Sequence, residues 1–541
     1  MTRTPAVLGI DAGTTSVKSV VLSLDGEVLG ASRSTVRIRR PQPDRAEQDM
    51  DEVWSAVAAT ISAACDEAGD VELIGAAVTG QGDGAWLVDE DGRPVGPALL
   101  WLDGRAAPRV AEWGRDGRGA LVREVTGSAL FPGALPVLLE ELEEDDPGLV
   151  RSAATHLNCK DWIRFRLTGR RATDPSEASR TYLDVAQGTY SHRLLTGLGH
   201  ERFERLLPPL LPPGTVAGHV TADAARETGL PVGLPVATGM VDTPAGGVGL
   251  GVVDPGQVYA ILGTTAFVGA VQEGPRAPAD LPVITVSLGE SDHVVECLAP
   301  MNGTPNLDWA RQVTGLDTLE WEEVARIVRA EPAGAGGVLY LPYAGVSGER
   351  APFVDTDASA AWLNLSVSTT PGQLLRAVYE GIALSLRECM DLLGVDEGAT
   401  VRLCGGGAQS SLVCEIVADV TGRPVERSTF AELGVRGVAA LVLVATGRAP
   451  DLRAATERLG TDTHRFEPDP RLRALHDAQA TVFTAVRDAN RHHWASLRDL
   501  RKASHQTDQE ATRRARPAHT VVARPPSGTS RTTTHHDKEL P

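Results

Sequence analysis

The same Gly-Thr-Thr turn stands twice in this chain, in AGTTSVKSVV at Ala12–Val21 and in LGTTAFVGAV at Leu262–Val271, about 250 residues apart. Glycine permits a tight turn and the paired hydroxyls favour its tip, while apolar β-forming runs flank both copies, so each reads as a hairpin. A hairpin repeated near the start of each half predicts two similar domains, each lending one tip to a shared cleft. The length of 541 residues also exceeds what one ordinary core holds and calls for two large domains.

Around these hairpins, apolar strands alternate with amphipathic helices. AVLGIDAG, VKSVVLSL, LIGAAVTG and GAWLVDEDG read as strands punctuated by Asp25-Gly26 and Asp91-Gly92, and MDEVWSAVAATISAACDEAG reads as a helix with Val53, Val57, Ile61 and Cys65 on one face. Asp51 and Glu52 favour its first turn. The predicted class is α/β with mixed sheets.

A third glycine-rich turn, CGGGAQSS at Cys404–Ser411, follows a strand and opens a helix, where free N–H groups and the lack of side chains let a ligand approach the backbone. No GxxxxGK[ST] is present, which excludes a P-loop. GGVGLGVVDPG at Gly246–Gly256 lacks the helix and acidic partner of a dinucleotide fold and reads as close helix-to-strand packing.

Charge narrows the ligand class. A net charge of −19 argues against a nucleic acid or an anionic membrane as partner and leaves a small molecule. No apolar run reaches about 18 residues and no signal-peptide pattern opens the chain, so a cytoplasmic protein is expected. The six cysteines, Cys65, Cys159, Cys297, Cys389, Cys404 and Cys414, form no CxxC pair and read as reduced thiols. Paired His492-His493 and His535-His536 lack further ligands at fixed spacing and read as solvated.

The two hairpins, GGGAQS, and the stretches AEQDMDEVW, LLWLDGRA, KDWIRFRLTGRRATDPSEASRT, GMVDTPAGGVGLG, LPYAGVSGERAPFVD and AVYEGIALSLRE together resemble the FGGY carbohydrate kinases, in order, from about residue 6 to about residue 490. The resemblance implies two ribonuclease-H-like domains of the actin and hexokinase type, residues 1–251 and 252–496, closing on a cleft for ATP and a sugar or polyol. It places Asp242, in GMVDTP, as the base that takes the acceptor hydroxyl proton, with helix capping beside Thr243 as the local alternative. Asp11 is expected to hold Mg²⁺. Gly13, Thr14 and Thr15 on one wall, and Gly263, Thr264 and Thr265 on the other, are expected to meet the phosphates. Lys18 joins them, unless it is only a solvated strand lysine. Gly405, Gly406, Gly407, Ala408 and Gln409 are expected around the adenosine.

For the acceptor, the resemblance points to Gln81, Asp83, Trp101 and Asp103, with an indole wall for C–H groups and carboxylates for hydroxyls, and Arg105 either orienting Asp103 or capping a helix. Gln81-Gly82-Asp83 departs from the Gln-Met-His of xylulose kinases and the Gln-Arg-Glu of glycerol kinases. Asp83 can accept from vicinal hydroxyls, although Gly-Asp-Gly also suits a plain turn. TGQGDGAWLVDEDG, LNCKDWIRFRLTG and TDPSEAS look most like the erythritol kinase and L-xylulose kinase branch. A small polyol phosphorylated on a terminal hydroxyl is therefore expected, with a ketopentose as the alternative. An actin-like or chaperone-like ATPase would not need WLDGRA or TDPSEAS, and a non-catalytic sensor would not need the base and both hairpins. The oligomeric state stays open, a homodimer included. From Leu497 onward apolar periodicity is lost, and residues 497–541 read as a disordered tail.

Overall fold

The computed structural model describes residues 3–276, 281–289, 292–345, 347–428, 430, 432–460 and 463–515. Met1–Ala489 form one compact unit, and Asn490–Pro541 a second.

Two mixed sheets organise the first unit, and they share a local plan. In the six-stranded sheet, Thr4–Ala12 pairs antiparallel with Ser16–Ser23 and parallel with Val71–Gly80; in the seven-stranded sheet, Val258–Leu262 pairs antiparallel with Ala266–Gln272 and parallel with Val401–Cys404. The repeated Gly-Thr-Thr therefore marks a repeated supersecondary unit. This is the α/β architecture with two ribonuclease-H-like cores that the sequence predicts. Register brings Asp11 opposite Lys18 and Ala12 opposite Val17, so the carboxylate leaves the sheet at the tip of the hairpin.

The amphipathic helix spans Met50–Ala68, capped by Asp49, whose side chain accepts from the Asp51 and Glu52 amides. Its Val53, Val57 and Ile61 are buried against Ala6, Leu8 and Ile10 of the first strand, while Cys65 is half-buried. All six cysteines are free thiols.

Helix Leu433–Ala445 belongs by sequence to the second half, yet its Val435, Val438 and Val442 join Val7, Val20, Leu22 and Ala77 of the first sheet in one apolar cluster. It also crosses helix Asp242–Gly249. Here GGVGLG acts in helix-to-helix as well as helix-to-strand packing. A methyl group at Gly249 would penetrate the Leu433 carbonyl oxygen, one at Gly437 the Ala245 carbonyl, and one at Gly247 would stand 2.9 Å from the Tyr259 ring.

The expected tail needs correction over 497–515, because helix Arg473–Ala515 runs through that span. Arg, Ala, Gln and Glu sustain a helix by propensity without an apolar stripe. Residues 516–541, with His535 and His536, lie outside the described residues. Among the described residues no helix is long and apolar enough to cross a membrane, and no group of three or more His, Cys, Asp or Glu is arranged to hold a metal.

Candidate functional site

The first hairpin presents Gly13 and Thr14 half-buried and Thr15 exposed; the second presents Gly263 and Thr265 half-buried and Thr264 exposed. Each tip is braced from behind. Gln48 donates its amide to the Thr14 carbonyl at 2.8 Å, and the Trp101 indole N–H donates to Thr14 Oγ1 at 3.0 Å. On the other side Thr304 donates its N–H at 2.8 Å and its hydroxyl at 3.1 Å to the Gly263 carbonyl. Trp101→Phe keeps an aromatic face, smaller than the indole, and loses the N–H hydrogen bond to Thr14, of about 1 kcal/mol. The KM for the acceptor or for ATP is expected to rise about fivefold with little change in melting temperature, checked by steady-state kinetics beside a thermal melt.

Asp242 opens helix Asp242–Gly249 as its first residue; the N-cap position is Val241, and no side chain caps the helix. The local capping alternative therefore falls away. Asp242 is supported by Thr243, whose hydroxyl donates to the carboxylate at 3.1 Å and whose backbone N–H adds to the contact. Its side chain is open to cleft water, but the surrounding walls displace bulk solvent from most directions, and this, with the like charges of Asp11 and then Asp83, raises the carboxyl to about 7. Asp11, at the end of its strand, is raised to about 6, chiefly by burial, with Lys18 opposing and Glu432 adding. Two cleft carboxylates that resist ionisation suit a site that receives a cation.

Lys18 is half-buried and already engaged in this structure. Its ammonium forms a half-buried ion pair with Glu432 at 2.6 Å, which ties the first hairpin to the start of helix Leu433–Ala445. A phosphate contact, which Lys18 is expected to make, would compete with this pair, because a neighbouring carboxylate already satisfies the charge. Asp103 is corrected as well. Its buried carboxylate accepts from Arg105 Nε at 2.8 Å and a terminal Arg105 nitrogen at 2.9 Å, and from the Ala46 N–H at 2.8 Å. A carboxylate so enclosed has nothing left for an acceptor sugar; it braces the loop that carries Trp101.

Gln81 and Asp83 lie beside Asp242. Gln81 is buried, takes its backbone N–H to the Ala12 carbonyl at 2.9 Å and donates its amide to Gln48 Oε1 at 2.7 Å. One hydrogen-bond chain, Gln81 to Gln48 to Thr14, thus couples the Gln81–Asp83 loop to the first hairpin. Asp83 adopts φ +61° and Gly84 φ +85°, so the turn reading of Gly-Asp-Gly holds together with a half-buried carboxylate. Arg180 Nε stands 3.6 Å from Asp83 Oδ1, and burial still raises the Asp83 carboxyl. Gly82 is required by close approach: a Cβ there would meet Val241 Cγ2 at 2.5 Å and Glu177 Oε2 at 3.3 Å.

At the third turn a cavity of about 810 Å³ is lined by Gly406, Gly407, Gln409 and Ser410, with Thr304, Trp321, Arg326 and Tyr379 opposite. Its size suits a nucleoside. Gly405, at φ +91°, lies against the Leu262 carbonyl, which brings the turn to the second hairpin. Ala408 is fully buried behind the wall, so its side chain supports the cavity without lining it.

Gln48, Asn158, Glu177, Arg180 and Glu432 were not expected at the site. Gln48 lies in AEQDMDEVW and the next three in LNCKDW and TDPSEASRT, stretches that marked the family but carried no local pattern to separate ligand-facing from core positions.

Comparison with known proteins decides the family. The FGGY family of carbohydrate kinases matches with its N-terminal domain over residues 6–249 and its C-terminal domain over residues 258–446. The chain belongs to the FGGY carbohydrate kinases. The kinase is 30% identical over 487 residues to xylulose kinase of Escherichia coli strain K12, covering 88% of this chain and 97% of that one. It is 31% identical over 463 residues to erythritol kinase of Brucella abortus strain 2308, covering 82% and 88%. The L-xylulose/3-keto-L-gulonate kinase of Escherichia coli is 27% identical over 468 residues, covering 85% and 92%. Among solved structures, xylulose kinase from Rhodospirillum rubrum superposes with a TM-score of 0.82 at 27% identity, covering 91% of this chain and 100% of that one. The chain is therefore an ATP-dependent carbohydrate kinase.

Proposed function

We propose that the kinase phosphorylates a terminal primary hydroxyl of a small polyol, erythritol first, with Asp242 as the base. The observation that carries this reading is Asp242 itself, an uncapped carboxylate at a helix start, open to the cleft and next to the acceptor loop Gln81–Asp83. Bound Mg-ATP supplies the phosphoryl group and the charge that neutralises it. Gly406, Gly407 and Gln409 would hold the adenosine, while the tips Gly13–Thr15 and Gly263–Thr265 offer N–H and hydroxyl donors from opposite walls. Asp11 would hold Mg²⁺, a fit supported by a single hard carboxylate at the hairpin tip, since magnesium keeps several waters and takes one or two protein oxygens. Asp242 accepts the hydroxyl proton, Gln81 and Asp83 orient the acceptor, and Trp101 backs the loop while fixing Thr14.

A ketopentose acceptor is the second reading, favoured by the 30% identity to a xylulose kinase over nearly its whole length. Coupled ADP release with erythritol, L-xylulose, D-xylulose, glycerol, ribitol and D-ribulose decides between them. The highest kcat/KM is expected for erythritol, and ATP turnover without acceptor is expected to stay slow because acceptor binding completes the site. A ketopentose optimum overturns the polyol assignment, and vigorous acceptor-independent hydrolysis overturns the kinase mechanism.

A further inference from the structure

Glu177 and Asn158 are both buried, at 2% and 3% exposure, yet each keeps one side-chain oxygen without a hydrogen-bond partner. So do Gln81 Oε1 and Asp83 Oδ1, the latter beyond hydrogen-bond distance but ion-paired with Arg180 Nε at 3.6 Å. Buried polar atoms without partners are uncommon and call for a reason. Here the four residues are neighbours around Gly82. Asn158 Nδ2 donates to Glu177 Oε2 at 2.8 Å, and that oxygen faces Gly82, which joins Gln81 to Asp83. The Val241 N–H donates to Ser176 Oγ at 2.9 Å, which fixes the short helix Pro175–Ala178 beside Asp242.

That helix is held rigidly. Asp174 caps it through the Ser176 amide, and the fully buried Lys160 pairs with Asp161 at 2.6 Å and with Asp174 at 2.8 Å. Arg164 joins Asp161 at 3.1 Å, so two cations meet two carboxylates; Glu177 adds a third carboxylate that feels the Lys160 charge, and its Oε2 accepts from Asn158.

The network also sets which atoms are left over. The Thr14 carbonyl can only accept, so Gln48 must give it the amide N–H and turn Oε1 toward the Gln81 amide; Gln81 Oε1 is then the free atom. Asn158 gives its N–H to Glu177 and keeps Oδ1. The leftover atoms are oxygens, and an array of oxygens matches a ligand with several O–H donors. A ketone carbonyl placed there would add one more acceptor and leave buried groups unpaired.

We propose that Asn158 and Glu177 belong to the acceptor-binding wall beside Gln81 and Asp83, and that this wall of oxygens selects a fully hydroxylated acyclic polyol over a ketose. The inference rests on the kinase reading above and gives its acceptor pocket a sign.

Glu177→Gln tests it, because the amide keeps the bond to Asn158 through oxygen and turns an N–H₂ donor toward the ligand. The ratio of kcat/KM for erythritol to that for L-xylulose is expected to fall about tenfold or more, through a higher erythritol KM, with the KM for ATP unchanged. An unchanged ratio in a variant of normal melting temperature overturns the inference and leaves the kinase reading standing. Unaltered enzyme gives a second test that no folding defect can blur: butane-1,2,4-triol, which lacks one hydroxyl of erythritol, is expected to lose about 10²-fold in kcat/KM, and a loss of threefold or less overturns the inference. Failure of the unaltered enzyme to phosphorylate any sugar or polyol of the panel overturns the kinase reading and this inference together.

Discussion

Asp242→Asn is expected to lower kcat by about 10³-fold or more while leaving the affinity for ATP near its starting value. The asparagine keeps the shape of the side chain and its contact with Thr243, so helix Asp242–Gly249 is undisturbed; what disappears is the capacity to accept a proton. Titration of ATP binding beside steady-state turnover separates the two, and near-normal turnover would remove Asp242 from the base role. The same carboxylate sets a pH dependence. Raised to about 7 by the cleft walls and by Asp11, it must be ionised to work, so kcat/KM is expected to fall as pH drops below about 7 and to level off above it. A profile flat from pH 6 to pH 8, roughly one unit either side of that value, would place the base elsewhere. Stability runs the other way. A carboxyl whose folded pKa lies above its unfolded value adds stability that is complete below the unfolded pKa and is lost as pH rises through the folded one. Above pH 7 the charged Asp242 therefore works against folding, and Asp242→Asn is expected to melt no lower than the unaltered enzyme.

The second large effect is expected from a methyl group far from any ligand. Gly249→Ala places Cβ inside the Leu433 carbonyl oxygen, and backbone cannot turn aside as a flexible side chain can. Helices Asp242–Gly249 and Leu433–Ala445 must then separate, at a cost of about 1–3 kcal/mol or more. The two ends of the affected pair carry Asp242 and Glu432, the partner of Lys18. The melting temperature is expected to drop by several degrees and kcat about tenfold or more, because sub-ångström placement of the base controls the rate. A variant with unaltered melting temperature and unaltered kcat would show that the crossing has slack the structure does not display.

Much of the site was legible because it is local. A Gly-Thr-Thr tip between two β runs forms its hairpin from neighbours in sequence, so Thr15 and Thr264 could be placed at exposed tips before any fold was known. The glycines of GGVGLG announced close approach by their lack of a side chain, though not what approaches. The errors have a common form. Lys18 and Asp103 carry the right charges in the right stretches, and both are neutralised by groups that only folding supplies: Glu432, 414 positions away, and Arg105 together with the Ala46 amide. Ala408 sits in the right turn with its side chain on the wrong side.

By itself the sequence determined the duplicated hairpins, the α/β class, the family and the identity of the catalytic candidate, since these depend on short-range pattern and on motif order along the chain. Tertiary structure alone decided which polar atoms stay free. Burial and hydrogen-bond pairing are properties of neighbours in space, and residues such as Asn158, Glu177 and Gln81 become neighbours only when strand ends and a short helix, separated along the chain, are packed around one glycine.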